Sequence, residues 1–142
     1  MPTYQVLALD SGSSRIGLAI ASWPGGLATP YATLNNDQHF LEKLINIINQ
    51  ENIQYLVVGY PRGINGEGTN QSHSVTSFAN WLSESIKIRL FFQDEDLTSI
   101  KAEAELRSRK VPYQKEDIDS LSATYILEDF INEHPKGVTS EE

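Results

Sequence analysis

Apolar positions at the start of the chain fall in short unbroken runs. Val6-Leu7-Ala8-Leu9 is followed, after a Ser/Gly cluster, by Ile16-Gly17-Leu18-Ala19-Ile20-Ala21. Runs of this length, bounded by turn residues, read as strands buried on both faces. Strands are therefore expected over 4–9 and 15–21, with Ser11-Gly12-Ser13-Ser14 short enough for a hairpin. Trp23-Pro24-Gly25-Gly26 marks a turn. A third strand is expected over 27–34, where Pro30 suits an edge or a bulge.

Near residue 38 the period becomes helical. Phe40, Leu41, Leu44, Ile45, Ile47 and Ile48 recur on one face behind the capping residues Asn35-Asn36-Asp37, predicting a helix over 38–50. A strand from Ile53 to Val58 ends at Gly59. Residues 60–70 are Gly-rich but lack G-x-x-x-x-G-K-[ST], so they are no P-loop, and a mobile loop over a cleft is expected. Val75, Phe78, Ala79 and Leu82 mark the next helix. Residues 86–92 alternate as a strand that runs out into Gln93-Asp94-Glu95-Asp96. A polar helix is expected over 98–110. Asp117 then caps a last helix with the apolar face Ile118, Leu121, Ser122, Tyr125, Ile126 and Phe130, stopped by Pro135.

The order is β-β-β-α-β-α-β-α-α. Hairpin-linked strands followed by strands joined through helices imply an α/β fold, a five-stranded mixed sheet with helices on both faces. One domain over 1–134 is expected, with a short acidic, disordered tail over 135–142.

Composition narrows the function. At 142 residues with 39% hydrophobic positions the chain can build one ordinary core. No apolar run reaches membrane-spanning length, the N-terminus lacks signal-peptide character and cysteine is absent, so a cytoplasmic location is expected. A net charge of -8 argues against a general nucleic-acid coat protein. It does not exclude a nucleic-acid enzyme, because catalytic carboxylates inflate the negative count. Lys101, Arg107, Arg109, Lys110 and Lys115 also cluster.

Asp10 is the first candidate for chemistry. It closes an apolar strand, where an unpaired carboxylate is costly and needs a cation. Asp94 and Glu95 follow the last strand, and Asp119 is expected in the first turn of the last helix. In such a sheet these strand ends share one rim. Converging carboxylates there would repel one another unless a divalent cation lay among them, and Mg²⁺ or Mn²⁺ suits all-oxygen ligands. Such sites activate water and support phosphoryl displacement.

Plainer readings compete. Asp10 could cap a turn, Asp94-Glu95-Asp96 could be solvated helix-opening acids, and Asp119 a helix N-terminal acid. His39, His73 and His134 have no zinc-ligand spacing and are expected at the surface. The basic stretch could be a solvated helix face, with Lys101 and Glu105 as an i,i+4 pair, or could hold a phosphodiester backbone.

Four blocks, in order, resemble the YqgF family, also called RuvX. Leu7-Ala8-Leu9-Asp10-Ser11-Gly12-Ser13-Ser14-Arg15-Ile16-Gly17 resembles its D-x-G-x-x-[KR]-I-G block. Val57-Val58-Gly59-Tyr60-Pro61 with Asn65-Gly66 resembles V-V-G-x-P…x-G. Gln93-Asp94-Glu95-Asp96-Leu97-Thr98-Ser99 resembles D-E-R-L-[ST]-T, and Asp119-Ser120-Leu121-Ser122-Ala123 resembles D-x-x-[AS]-A.

The resemblance covers residues 5–131. It implies an RNase H-like fold and a metal-dependent endonuclease, akin to Holliday junction resolvases, acting in 5′-end processing of pre-16S rRNA. It implies Asp10, Glu95 and Asp119 as catalytic residues and, with Asp94, as ligands of Mg²⁺ or Mn²⁺. Arg15 would contact phosphate, and Lys101, Arg107, Arg109 and Lys110 would bind structured RNA or branched DNA. The chain departs from the family at Asp96, where Arg is usual, reversing a charge beside the site.

Three alternatives stand beside this reading: a resolvase-like DNA nuclease, a catalytically weak nucleic-acid-binding relative, and an ATP-binding half-domain of the actin and sugar-kinase type. Monomer and homodimer both remain open.

Overall fold

The computed structural model describes residues 3–61, 70–95 and 98–136. Strands β1 (Tyr4–Ser11), β2 (Arg15–Trp23) and β3 (Thr29–Asn35) come first. Helix α1 (Phe40–Glu51), strand β4 (Ile53–Pro61), helix α2 (Asn70–Ser85) and strand β5 (Arg89–Glu95) follow. Helices α3 (Thr98–Ser108) and α4 (Lys115–Glu133) complete the chain.

The five strands lie in the order β3-β2-β1-β4-β5. β1–β2 and β2–β3 are antiparallel, and β1–β4 and β4–β5 are parallel. The expected mixed sheet is therefore present. Pro30 lies on edge strand β3 beside a register shift, where a residue without an N–H is tolerated.

Alternation along β1 divides the core. Leu7 and Leu9 pack with Phe40 and Leu44 of α1 and Val75 and Leu82 of α2. Val6 and Ala8 face the other way, toward Ala123, Ile126 and Phe130 of α4. The sheet positions under α4 are small, notably Ala8, Ala19 and Ala21, which lets the helix lie close. α4 is also tied at both ends. Near its start the Thr33 hydroxyl donates to the Glu116 carbonyl at 2.7 Å, and at its end the Trp23 indole N–H donates to the His134 carbonyl at 2.7 Å.

Several local expectations change. α4 carries not one apolar face but a continuous buried stretch from Leu121 to Leu127, because α3 covers its outer side through Ala102 and Leu106. Its N-cap is Gln114. Asp117 is the third helical residue, and its carboxylate accepts from the Gln114 backbone N–H at 2.9 Å. Asp119 thus falls in the second turn, not the first.

β4 runs past Gly59, and β5 begins at Arg89 and includes Gln93-Asp94-Glu95. The ladder pairs Gly59 with Gln93, Tyr60 with Asp94 and Pro61 with Glu95, so tertiary pairing overrides the weak strand preference of these polar residues. His39 and His73 are exposed as expected. His134 is not free at the surface: its ring stacks on Phe130, 4.4 Å between centroids.

No helix among the described residues is long and apolar enough to cross a membrane. Most of the Gly-rich 60–70 segment, Asp96 and the end of the expected tail lie outside the described residues.

Candidate active site

The α4 face of the sheet gathers carboxylates. Asp10 continues the Val6–Ala8 face of β1, and Glu95 shares the Phe91 face of β5, both directed toward α4. β4 lies between them. Its Gly59, one step past the Leu9–Val58 pair, has no room for a side chain: a Cβ there would lie 2.4 Å from Ile126 Cδ1 and 3.7 Å from Glu95 Cγ. α4 crosses this face and carries Asp119. Its approach is set at Gly17, where a Cβ would lie 2.0 Å from the Asp119 carbonyl oxygen.

Burial raises the Asp10 carboxyl from its ordinary 3.8 to about 7, with the charge of Asp119 as the second cause. Glu95 rises from 4.5 to about 8. Burial leads again, followed by a hydrogen bond to Asp129, the charge of Asp129 and the charge of Asp10, while Lys101 acts the other way. Asp10 therefore shares an electrostatic field with both Asp119 and Glu95. Asp119 Oδ2 accepts from Arg15 Nε at 2.5 Å. One oxygen of Glu95, Oε1, is buried without a hydrogen-bond partner among the described residues.

These observations fit a site short of positive charge. A buried oxygen of Glu95 without a hydrogen-bond partner among the described residues, on an acid that like Asp10 is held above its ordinary pKa, would suit a hard cation, and an all-oxygen donor set suits Mg²⁺ or Mn²⁺. No three of the described His, Asp or Glu side chains converge on one ion position as they stand. Asp119 is instead paired with Arg15, and Glu95 lies against Asp129.

The other expected residues separate. Asp94 alternates to the opposite face from Glu95 and is exposed, beside a hollow of about 360 Å³ that it lines with Phe92, Gln93, Glu133 and His134. It is not brought to the carboxylate group, contrary to its expected place among the ligands. Lys101 lies over the Tyr125 ring, 4.6 Å from Nζ to the centroid, and within the field of Glu95.

The expected Lys101–Glu105 pair gives way to other contacts. Glu105 accepts from the Tyr125 hydroxyl at 2.7 Å and pairs with Arg109. Arg107 pairs with Glu103 at 2.7 Å, and Lys110 is exposed just past the end of α3.

Asp129 was not foreseen. It lies ten residues beyond Asp119 on the exposed strip of α4, and neither apolar periodicity nor a motif marks it. Ser122 was read as part of an apolar face. It is fully buried, and its hydroxyl has no hydrogen-bond partner among the described residues.

The comparisons with known proteins agree with this architecture. The RuvX family model, described as Holliday junction resolvase, matches residues 4–133. A protein of Sulfurihydrogenibium sp. (strain YO3AOP1), named "Putative pre-16S rRNA nuclease", is 36% identical over 130 residues, covering 90% of each chain. A protein of the same name from Koribacter versatilis (strain Ellin345) is 34% identical over 142 residues, covering 97% of this chain and 92% of its own.

Among solved structures, T. thermophilus RuvC in complex with Holliday junction substrate superposes with a TM-score of 0.54 at 10% identity, covering 92% of this chain and 97% of that one. That likeness is one of fold, and the fold is RNase H-like. A family match over nearly the whole length displaces the ATP-binding half-domain alternative. The chain belongs to the RuvX Holliday junction resolvase family, a family of nucleases that hydrolyse phosphodiester bonds.

Proposed function

We propose that this protein is a divalent-cation-dependent endonuclease that acts in the cytoplasm on the 5′ end of pre-16S rRNA, with Asp10, Glu95 and Asp119 as its catalytic carboxylates. The observation that carries the reading is the buried Oε1 of Glu95, without a hydrogen-bond partner among the described residues, in the same field as a half-buried Asp10. The relatives' name supplies the substrate.

Asp10, Glu95 and Asp119 would hold Mg²⁺ or Mn²⁺. Asp94 is left out of this set because it faces away. The cation, when bound, supplies Lewis acidity toward a phosphodiester and toward water. The chain's own residues do the rest. Gly59 lets Ile126 of α4 pack onto β4 between Asp10 and Glu95. Gly17 and the Thr33–Glu116 bond fix the backbone from which Asp119 reaches the site. Arg15 and Lys101, which among the described residues lie in the field of the carboxylates, would hold the phosphates at the cleavage point. Arg107 at the end of α3, with Arg109 and Lys110 just past it, would meet backbone farther from it.

The test is cleavage by the purified protein of a 5′-extended 16S rRNA fragment in Mg²⁺ and in Mn²⁺. Wild type cleaves and Asp10→Asn loses at least about a hundredfold in rate. A four-way DNA junction is run in parallel, because the matching family model is described as Holliday junction resolvase. Preferential cleavage of the junction would make branched DNA the substrate. RNA binding that survives Asp10→Asn, with no cleavage in either metal, would make the chain a non-catalytic relative.

A further inference from the structure

We propose that Arg15 is a latch on Asp119 that substrate phosphate opens, so that nucleic acid and divalent cation bind the site cooperatively. The inference rests on the reading of Asp119 as a cation ligand.

Arg15 is the first residue of β2, paired across the ladder with Asn35. Its side chain reaches 104 residues along the sequence to α4, where Nε donates to Asp119 Oδ2 at 2.5 Å. The backbone of Asp119 cannot retreat, because it is packed against Gly17 and tied through Glu116 to Thr33. What remains free is the choice of partner for its carboxylate. With Arg15 engaged, that carboxylate is already neutralised by an internal cation. Asp10 still feels the charge of Asp119, so the two acids share the same space.

A divalent ion taken up there would need the Asp119 oxygens and would lie beside a guanidinium. The two cations therefore compete for one carboxylate. The contact uses Nε and leaves the two Nη nitrogens outside it. The Arg15 side chain is 30% exposed against 19% for Asp119, so the guanidinium is the outward partner of the pair. A phosphodiester at the rim offers that fork a two-pronged acceptor of its own. Glu116, exposed and also in the field of Arg15, is an acid that the phosphate must outcompete for the guanidinium. Once Arg15 turns to phosphate, Asp119 is released to the cation. Linkage then requires each ligand to raise the affinity for the other by the same factor.

The test measures Mn²⁺ binding by electron paramagnetic resonance, with and without an uncleavable 2′-O-methyl RNA hairpin, at near-physiological salt. Wild type is expected to bind Mn²⁺ about tenfold more tightly with the hairpin present. Arg15→Gln is expected to bind Mn²⁺ tightly without the hairpin and to gain less than about twofold from it. Arg15→Lys, whose compact ammonium lacks the planar fork, should fall between them.

Circular dichroism checks that each variant is folded. In cleavage assays, Arg15→Gln should raise KM more than it lowers kcat. The latch is overturned if wild type binds the hairpin with no change in Mn²⁺ affinity, or if folded Arg15→Gln binds Mn²⁺ more weakly than wild type. It is also overturned if the hairpin raises affinity equally in Arg15→Gln, which would mark a polyanion effect. Absence of Mn²⁺ binding in every sample overturns the carboxylate site itself, and the latch with it.

Discussion

Gly17 and Asp119 meet backbone to side-chain-free backbone: a Cβ on Gly17 would lie 2.0 Å from the Asp119 carbonyl oxygen and 3.0 Å from the Ser120 nitrogen. Neither atom belongs to a flexible side chain, so the obstruction is relieved only by moving α4. Gly17→Ala is expected to cost about 3 kcal/mol or more in urea unfolding, at the upper end for overpacking. Because the displaced segment carries Asp119, Mn²⁺ affinity should fall as well. A stability loss near zero would show that α4 is not held at this point.

The two raised acids give apo stability a pH dependence of definite sign. Asp10 has a folded pKa near 7 and Glu95 near 8, both above their ordinary values of 3.8 and 4.5. The folded state therefore holds protons that the unfolded chain releases. Their contribution is fully present below about pH 4 and is lost as pH rises toward 7 for Asp10 and toward 8 for Glu95. Asp10→Asn carries no such charge. In thermal melts without metal, it should gain on wild type as pH rises from 5 to 8, by roughly 5 °C at the upper end. Mn²⁺ at pH 8 should narrow the difference by raising the wild type. A difference independent of pH would remove Asp10 from a desolvated site.

Asp129 is the acid that the sequence concealed. It shares a hydrogen bond with Glu95, and both that bond and its charge favour the protonated form of Glu95. Glu95 must be ionised to hold a cation. Cleavage is therefore expected to rise with pH along a limb that reports Glu95. Asp129→Asn removes the like charge and should move that limb to lower pH by about half a unit or more in kcat/KM. An unmoved limb with unchanged rates would make Asp129 a bystander.

Which parts of the molecule could be read beforehand follows from what each part depends on. Asp10 was legible because its cost is local: a carboxylate closing the Val6–Leu9 run needs a partner whatever the fold. The topology was legible from alternating periods and turns. The separation of Asp94 from Glu95 was not, because it depends on β5 continuing to Glu95, and only pairing with Tyr60 and Pro61 makes such polar residues a strand. The two-sided burial of α4 required knowing that α3 folds over it. The Arg15–Asp119 and Glu95–Asp129 contacts join distant segments through side-chain reach, for which one sequence carries no local signal.

The basic face of α3 divides along the same line between local and long-range contacts. Arg107 and Arg109 each pair with a Glu one turn earlier, Glu103 and Glu105, on an exposed helix surface. Such pairs contribute about 0.5 kcal/mol or less. A phosphate approaching either guanidinium must displace a carboxylate already there. Lys101 makes no ion pair within 4 Å among the described residues, although Glu128 and Glu95 both lie in its field. Its Nζ rests over the Tyr125 ring. Removing Lys101 should therefore reduce the salt dependence of RNA binding by about one unit of log Kd per log salt, the amount for one lost phosphate contact. Arg107→Ala and Arg109→Ala should each change it by about half that or less. Fluorescence anisotropy titrations across a salt series separate the cases. An equal loss for all three variants would show that the Glu pairs open freely and that the whole of α3 tracks the nucleic-acid backbone.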